Sequence, residues 1–228
     1  MLHSSKFVML GEIPILNKLT KQELDILAEK STFFTVQKGL PIYNIEDKIS
    51  NIYFLHKGSI KLGTTTTDGK DLIKDILFES DIFGENVFTS KKRTEFAISL
   101  EDCKLFSIPL AHYNELIESN ANFREAILEL MVSNLKKLQD RRQNFVFSKA
   151  KQRIMHFIQK LAAERGIKIG IDEILVHHKL SHKEIANVTD TSRQTVARVL
   201  SELKEDKIIY FSPRKPTKIL VRNILKLT

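Results

Sequence analysis

The sequence predicts an α+β chain with an antiparallel β-rich first half, a long helix, and a basic C-terminal unit of short helices and strands. Three observations carry this. Between about Phe33 and Ile108 short apolar runs alternate with turn signals. From Leu110 to about Phe147 apolar residues recur at steps of three and four. The charge is also unevenly split: residues 1–148 hold 19 basic and 20 acidic side chains, while residues 149–228 hold 17 and 8, a balance of +9 that suits a polyanionic partner.

Several classes drop out. Apolar stretches such as Ile52 to Leu55 and Ile208 to Phe211 are four residues long, far below the roughly 20 that cross a bilayer. The N-terminus shows no apolar segment followed by a small-residue cleavage site, so export is not expected. Cys103 is the only cysteine, which forbids an internal disulfide, a multi-cysteine zinc site and a four-cysteine iron–sulfur cluster within one chain. A reducing cytoplasm fits this usage.

Taken in order, Ile13 to Lys30 carries Leu16, Leu19, Leu24 and Leu27, with Thr20 as N-cap and Glu23 three residues on, and reads as a short packing helix. The β region follows, punctuated by Lys38-Gly39, Lys57-Gly58 and Asp68-Gly69. Asp68-Gly69 is expected to supply the positive φ angles of a tight hairpin. Pro109 ends it. The helical stretch after Leu110 admits a break around Asn120, and its seam runs Leu128, Met131, Leu135, Leu138 and Phe145, with Arg142 the one polar member. Such a stripe either packs on the β unit or pairs in parallel with a second copy, and the charged flanks Lys136, Lys137, Asp140 and Arg141 favour pairing. A further helix over 149–165 buries Ile154, Phe157, Ile158 and Leu161 and stops at Gly166, read as a left-handed C′ residue.

The most informative stretch begins at Ser181, whose partner Glu184 makes a capping box, and continues past a turn at 187–190 to a second helix capped by Thr191 or Ser192. Two short helices about four residues apart form a helix-turn-helix, with Asp190 where the turn usually wants glycine. On the second helix Val196, Val199, Leu200 and Leu203 share one face, while Arg193, Gln194, Ala197, Arg198 and Ser201 share the other. Arginine binds guanine O6 and N7, and glutamine binds adenine N6 and N7, each through two hydrogen bonds. Ile208 to Phe211 and Lys218 to Arg222 then read as two strands around a tip offering Arg214 and Lys215 to phosphates.

Thr191-Ser192-Arg193-Gln194-Thr195-Val196-Ala197-Arg198 resembles the recognition helix of the Crp/Fnr-type transcription regulators, and the resemblance covers nearly the whole chain. Glutamate is common in the family where Gln194 stands. Lys57-Gly58-Ser59-Ile60, Asp68-Gly69-Lys70, Asp81-Ile82-Phe83-Gly84-Glu85 and Arg93-Thr94 resemble the glycine-spaced framework and phosphate cassette of cyclic-nucleotide-binding domains. The segment between Glu85 and Arg93 is shorter than in such domains, Ser80 stands at a customary glycine, and Glu95 replaces a small residue.

The resemblance implies an N-terminal antiparallel β-roll (jelly-roll-like) sensor domain over 1–109, a long dimerisation helix and hinge over 110–148, and a C-terminal winged helix-turn-helix over 149–228. It implies DNA contacts from Ser192, Arg193, Gln194, Arg198, Ser181, Lys183, Arg214 and Lys215. It implies ligand contacts from Phe83, Gly84, Glu85, Asn86, Arg93 and Thr94, with Leu138 and Gln139 of the long helix facing a purine. The expected partners are double-stranded DNA with a pseudo-palindromic operator, a second copy of the chain, and RNA polymerase, without a membrane.

A small effector in the roll is expected, with a cyclic nucleotide the leading candidate. The alternatives are a vestigial pocket in which Glu85 and Arg93 form a structural ion pair, or a haem, gas or metabolite sensor. No cofactor is established by these residues, and haem stays open because His56, His112 and His156 offer axial ligands. No metal is expected: His178 and His182 are four apart, but the helix start at Ser181 breaks their shared face. No enzyme is expected either, since the phosphate-loop, zinc-protease, nucleophile-elbow and dinucleotide motifs are all missing.

Overall fold

The computed structural model describes residues 2–69, 71–84, 91–171, 173–177, 180–211 and 218–222. Two compact units divide the chain, Met1–Lys137 and Leu138–Thr228, and each is taken separately.

In the first unit, helix α1 (Leu2–Gly11), a 3-10 turn (Pro14–Lys18) and helix α2 (Lys21–Lys30) precede eight strands among the described residues. These are β1 (Thr32–Val36), β2 (Pro41–Tyr43), β3 (Asn51–Lys57), β4 (Ile60–Thr65), β5 (Asp71–Leu77), β6 (Ile82–Phe83), β7 (Phe96–Ser99) and β8 (Cys103–Pro109). They form two four-stranded antiparallel sheets, ordered β1-β8-β3-β6 and β2-β7-β4-β5. Alternating side chains explain the layering. Leu55, Phe83 and Leu105 turn inward to meet Tyr43, Ile60, Leu77 and Ala97 of the other sheet. Their neighbours Phe54, Ile82 and Phe106 turn outward onto α1 and α2. The first sheet is thus buried on both faces, which is why Ile52 to Leu55 is an unbroken apolar run.

The expected helix over 13–30 is divided: proline at the head of the 3-10 turn and the Thr20–Glu23 capping box start α2 only at Lys21. Glu23 also accepts from Asn120 Nδ2 at 2.9 and 3.0 Å, and Asn120 Oδ1 accepts from the Phe123 amide at 2.8 Å. Asn120 therefore separates α3 (Leu110–Ser119) from α4 (Ala121–Phe147), the break that the sequence admits. The Asp68-Gly69 turn corrects a detail. The Thr65–Asp71 pair closes a longer loop in which Gly69 has φ +75° and Asp68 is not left-handed.

The second unit contains the last stretch of α4, then α5 (Ala150–Arg165), β9 (Gly166–Lys168), β10 (Glu173–His177), α6 (His182–Val188), α7 (Arg193–Glu205), β11 (Ile209–Phe211) and β12 (Lys218–Arg222). The strands form one antiparallel sheet ordered β11-β12-β10-β9. Val176, Ile209, Ile219 and Val221 are buried in this unit with Ile154, Ile158 and Leu161 of α5. Gly166 is a correction, because its φ is −77° rather than left-handed. Close packing requires the glycine: a Cβ there would lie 2.1 Å from Ile174 Cγ2 and 2.2 Å from the Ala162 carbonyl oxygen. The β9–β10 hairpin was not anticipated.

Candidate nucleic-acid interface and effector site

The helix-turn-helix is built by local hydrogen bonds. Ser181 Oγ accepts from the Glu184 amide while Glu184 Oε2 accepts from the Ser181 amide at 2.6 Å, starting α6. Ser192, not Thr191, caps α7 by accepting from the Thr195 amide at 3.0 Å. Val196, Val199, Leu200 and Leu203 are buried, which turns Arg193, Gln194, Arg198 and Ser201 outward and leaves them exposed, with Ala197 half-buried. Ser181 and Lys183 are exposed as well. Arg214 and Lys215 lie outside the described residues, but β11 and β12, which flank them, pair as an antiparallel hairpin.

Arg141, expected only as a charged flank of the seam, and Arg153 hold the turn. Asp190 has φ +51°, the left-handed conformation expected at the glycine position. Its carboxylate takes Arg141 of α4 through Nε–Oδ2 at 3.0 Å and Nη2–Oδ1 at 2.7 Å. Arg141 also donates to the Asn187 carbonyl at 3.1 Å. Arg153 of α5 donates to the Thr189 and Asp190 carbonyls, each at 2.8 Å, and to the Ser148 carbonyl at 2.7 Å. Arg153 thus satisfies the Thr189 and Asp190 carbonyls, while Arg141 adds a bond to the Asn187 carbonyl that the Asp190 amide already reaches at 3.4 Å. Asp190 in place of glycine was the only sequence signal of this clamp, since an aspartate there tolerates the turn and also offers a carboxylate.

In the first unit, Arg93 is 2% exposed. It donates from Nη1 to the Gly84 carbonyl and from Nη2 to the Asn51 carbonyl, each at 2.6 Å, and its guanidinium lies 4.3 Å from the centre of the Tyr43 ring. Its Nε–H has no hydrogen-bond partner among the described residues. Gly84 has φ +87°, and a Cβ on it would come within 2.7 Å of Arg93 Nη1. Phe83 is fully buried and stacked on Tyr53 at 5.3 Å, so its ring belongs to the core and only its backbone can meet a ligand, a correction to its expected role. Thr94 is exposed, and Glu95, buried, is paired with Lys74 at 3.3 Å, which compensates the carboxylate that the framework does not normally carry. Ser80, with φ +73°, takes the conformation of the customary glycine. Glu85 and Asn86 lie outside the described residues, as does Lys70.

Leu138 and Gln139 belong to the second unit and are exposed on α4. The α4 seam is exposed at Leu128 (57%), Leu135 (60%), Leu138 (61%) and Phe145 (56%), whereas Met131 packs partly on the core and Val132 (65% exposed) joins the stripe. Among the other expected candidates, His56 is wedged against Phe33 and Phe106 with Glu12 at 3.6 Å, and burial pushes its pKa down. Burial likewise pushes the Cys103 thiol up. His112 pairs with Glu115 at 3.1 Å. No group of three or more histidine, cysteine, aspartate or glutamate side chains suited to a metal occurs among the described residues, and His178 lies outside them. No described helix is long and apolar enough to cross a membrane.

A β-roll with a buried arginine at a glycine turn, and a helix-turn-helix with exposed hydrogen-bond donors on its second helix, define a DNA-binding transcription regulator with an effector-binding domain. A model of the cyclic nucleotide-binding domain matches residues 33–120, and one of the Crp-like helix-turn-helix domain matches residues 152–228. The chain belongs to the Crp/Fnr family, whose members are transcription regulators rather than enzymes. It is 26% identical over 186 residues to the global nitrogen regulator of Nostoc sp. strain PCC 7120, covering 80% of this chain and 83% of that one. It is 23% identical to the cyclic AMP receptor protein of Thermus thermophilus, over 88% of this chain and 89% of the relative. The solved structure of FixK2 from Bradyrhizobium japonicum matches with a TM-score of 0.76 at 18% identity, over 86% of this chain and 95% of that one.

Proposed function

We propose that the chain works as a cytoplasmic homodimer that reads a pseudo-palindromic operator, with a small anionic effector in the β-roll setting its affinity for DNA. In this reading residues 1–109 sense the effector, 110–148 supply the dimerisation helix and hinge, and 149–228 bind DNA. The observation that carries it is the outward set Arg193, Gln194 and Arg198 on a helix whose opposite face is fully buried. Arg193 and Arg198 read guanines, Gln194 reads an adenine, and Ser181, Lys183, Ser192, Arg214 and Lys215 hold phosphates. The exposed α4 stripe supports twofold pairing, which sets two recognition helices about 34 Å apart in successive major grooves. RNA polymerase is the partner through which such a complex acts.

The effector reading rests on Arg93. A buried guanidinium with no carboxylate partner among the described residues, and an idle Nε–H, suits an anion such as the phosphate of a cyclic nucleotide. Gly84, the Phe83 backbone and Thr94 are the roll positions proposed to complete that site, and Glu85, Asn86, Leu138 and Gln139 are the further contacts that the resemblance implies. The competing reading, a DNA-binding protein with a vestigial pocket, is favoured by one observation: two carbonyls and an aromatic ring already engage the same guanidinium. Selection of operators from random duplexes, followed by binding with and without cyclic nucleotides, decides between them. Effector gating requires an affinity change on adding nucleotide, and Arg193→Ala is expected to cost about 1–3 kcal/mol on the selected operator and to relax its specificity. Equal binding of operator and random DNA by the wild type defeats the reading as a whole.

A further inference from the structure

Glu202 stands one turn beyond Arg198 on α7, and its two oxygens are shared between two cations. Oε1 accepts from Arg198 Nη1 at 2.6 Å, and Oε2 accepts from Lys151 Nζ of α5 at 3.0 Å. An isolated pair of this kind on a helix surface is weak, because both long side chains must be ordered at once in water. This pair is not isolated. Lys151 ties the carboxylate to a second helix, and the Glu202 side chain is 32% exposed while the arginine it holds is 65% exposed. Lys151, then Arg198, hold the Glu202 carboxyl below its ordinary pKa, so it stays charged at neutral pH. Arg198 is left with Nη2 and Nε to offer, enough for the two parallel hydrogen bonds that identify a guanine.

We propose that Glu202 is a specificity-determining positioning residue, anchored by Lys151, which pre-orients the Arg198 guanidinium toward one base pair and at the same time repels phosphates from the reading face. The inference rests on the assignment of Arg198 as a base reader. It acts in two ways. A guanidinium already held in one pose loses less freedom on meeting its base, which strengthens the correct complex. A carboxylate on the DNA-facing helix weakens contacts that depend on phosphate alone, which penalises random sequence. Both effects widen the gap between operator and bulk DNA.

The test uses the full-length protein and fluorescence anisotropy on the selected operator, on operators substituted one base pair at a time, and on a random duplex across a salt series. Arg198→Ala identifies the base pair whose substitution penalty disappears. Glu202→Gln is expected to cut the penalty at that base pair about threefold to tenfold, a part of what a bidentate contact is worth, while leaving the others unchanged. It is also expected to tighten binding to the random duplex. Lys151→Met frees the same carboxylate from α5 while removing a positive charge, so it is expected to lower the same penalty while weakening random binding. In the Arg198→Ala background Glu202→Gln is expected to leave the penalties untouched. The proposal is overturned if Glu202→Gln preserves the penalty at that base pair or lowers all penalties alike. If Arg198→Ala abolishes no penalty, the base-reader assignment itself fails and takes the proposal with it, an outcome distinct from a failure at Glu202 alone.

Discussion

Replacing Asp190 by asparagine isolates the ion pair that fixes the turn before α7, because asparagine matches aspartate in size and in tolerance of the left-handed conformation at φ +51°. What changes is the charge, and with it one of the oxygens facing Arg141. The pair is bidentate, at 3.0 and 2.7 Å, with side chains 31% and 29% exposed. Fully exposed pairs contribute about 0.2–1 kcal/mol. Buried hydrogen bonds to charged groups contribute about 1.5–3 kcal/mol each. With roughly a third of each side chain in water, Asp190→Asn is expected to destabilise the second unit by about 1–2 kcal/mol. Arg141→Met should cost somewhat more, since the bond to the Asn187 carbonyl is lost too. The assay is hydrogen exchange at the amides of α6 and α7 in the full-length protein, combined with urea unfolding, since a chain of two units need not unfold in one step. A double-mutant cycle between Asp190→Asn and Arg141→Met that returns no coupling refutes the clamp.

Three further outcomes are expected. Glu23 has its pKa lowered chiefly by the Thr20 amide, opposed next by burial, and lowered further by Asn120 and the Thr20 hydroxyl. The stability it contributes is therefore present above about pH 4.3, the unfolded glutamate value, and is lost as pH falls through the lower folded value. Thermal melts of wild type and Glu23→Gln should differ at neutral pH and converge in acid, and a constant gap contradicts the linkage. Gly84→Ala should destabilise the roll by about 1–3 kcal/mol, because its φ of +87° is left-handed and the new Cβ meets Arg93, and calorimetry of the first unit's transition measures it. Leu135→Glu places a charge on the exposed stripe of α4; sedimentation should show the dimer giving way to monomers at micromolar concentration, and an unchanged mass argues that the stripe serves something else.

Local interactions were legible in the order of residues. The Thr20–Glu23 and Ser181–Glu184 capping boxes, the break at Asn120 and the buried face of α7 each depend on spacing over one or two turns, and spacing is what a sequence displays. The β9–β10 hairpin was not legible, although the equally short β11 and β12 were. Gly166 was placed correctly as a helix end but for the wrong cause, because a close approach by Ile174 leaves no trace in the residues around the glycine.

The sequence by itself determined the two-part charge, the succession of β-rich half, long helix and helix-turn-helix, and the donors Arg193, Gln194 and Arg198 on one face of a helix, since helical periodicity alone sorts a face. Only the tertiary structure decided what each cation holds. Arg93 engages the Gly84 and Asn51 carbonyls, Arg141 and Arg153 clamp the turn at Asp190, and Glu202 is shared by Arg198 and Lys151. Asn51 and Arg93 lie 42 residues apart, Arg141 and Asp190 lie 49 apart, and Lys151 and Glu202 lie 51 apart. A long flexible cation is read from sequence as solvated until packing brings a distant carbonyl or carboxylate within reach, and that is a property of the folded chain.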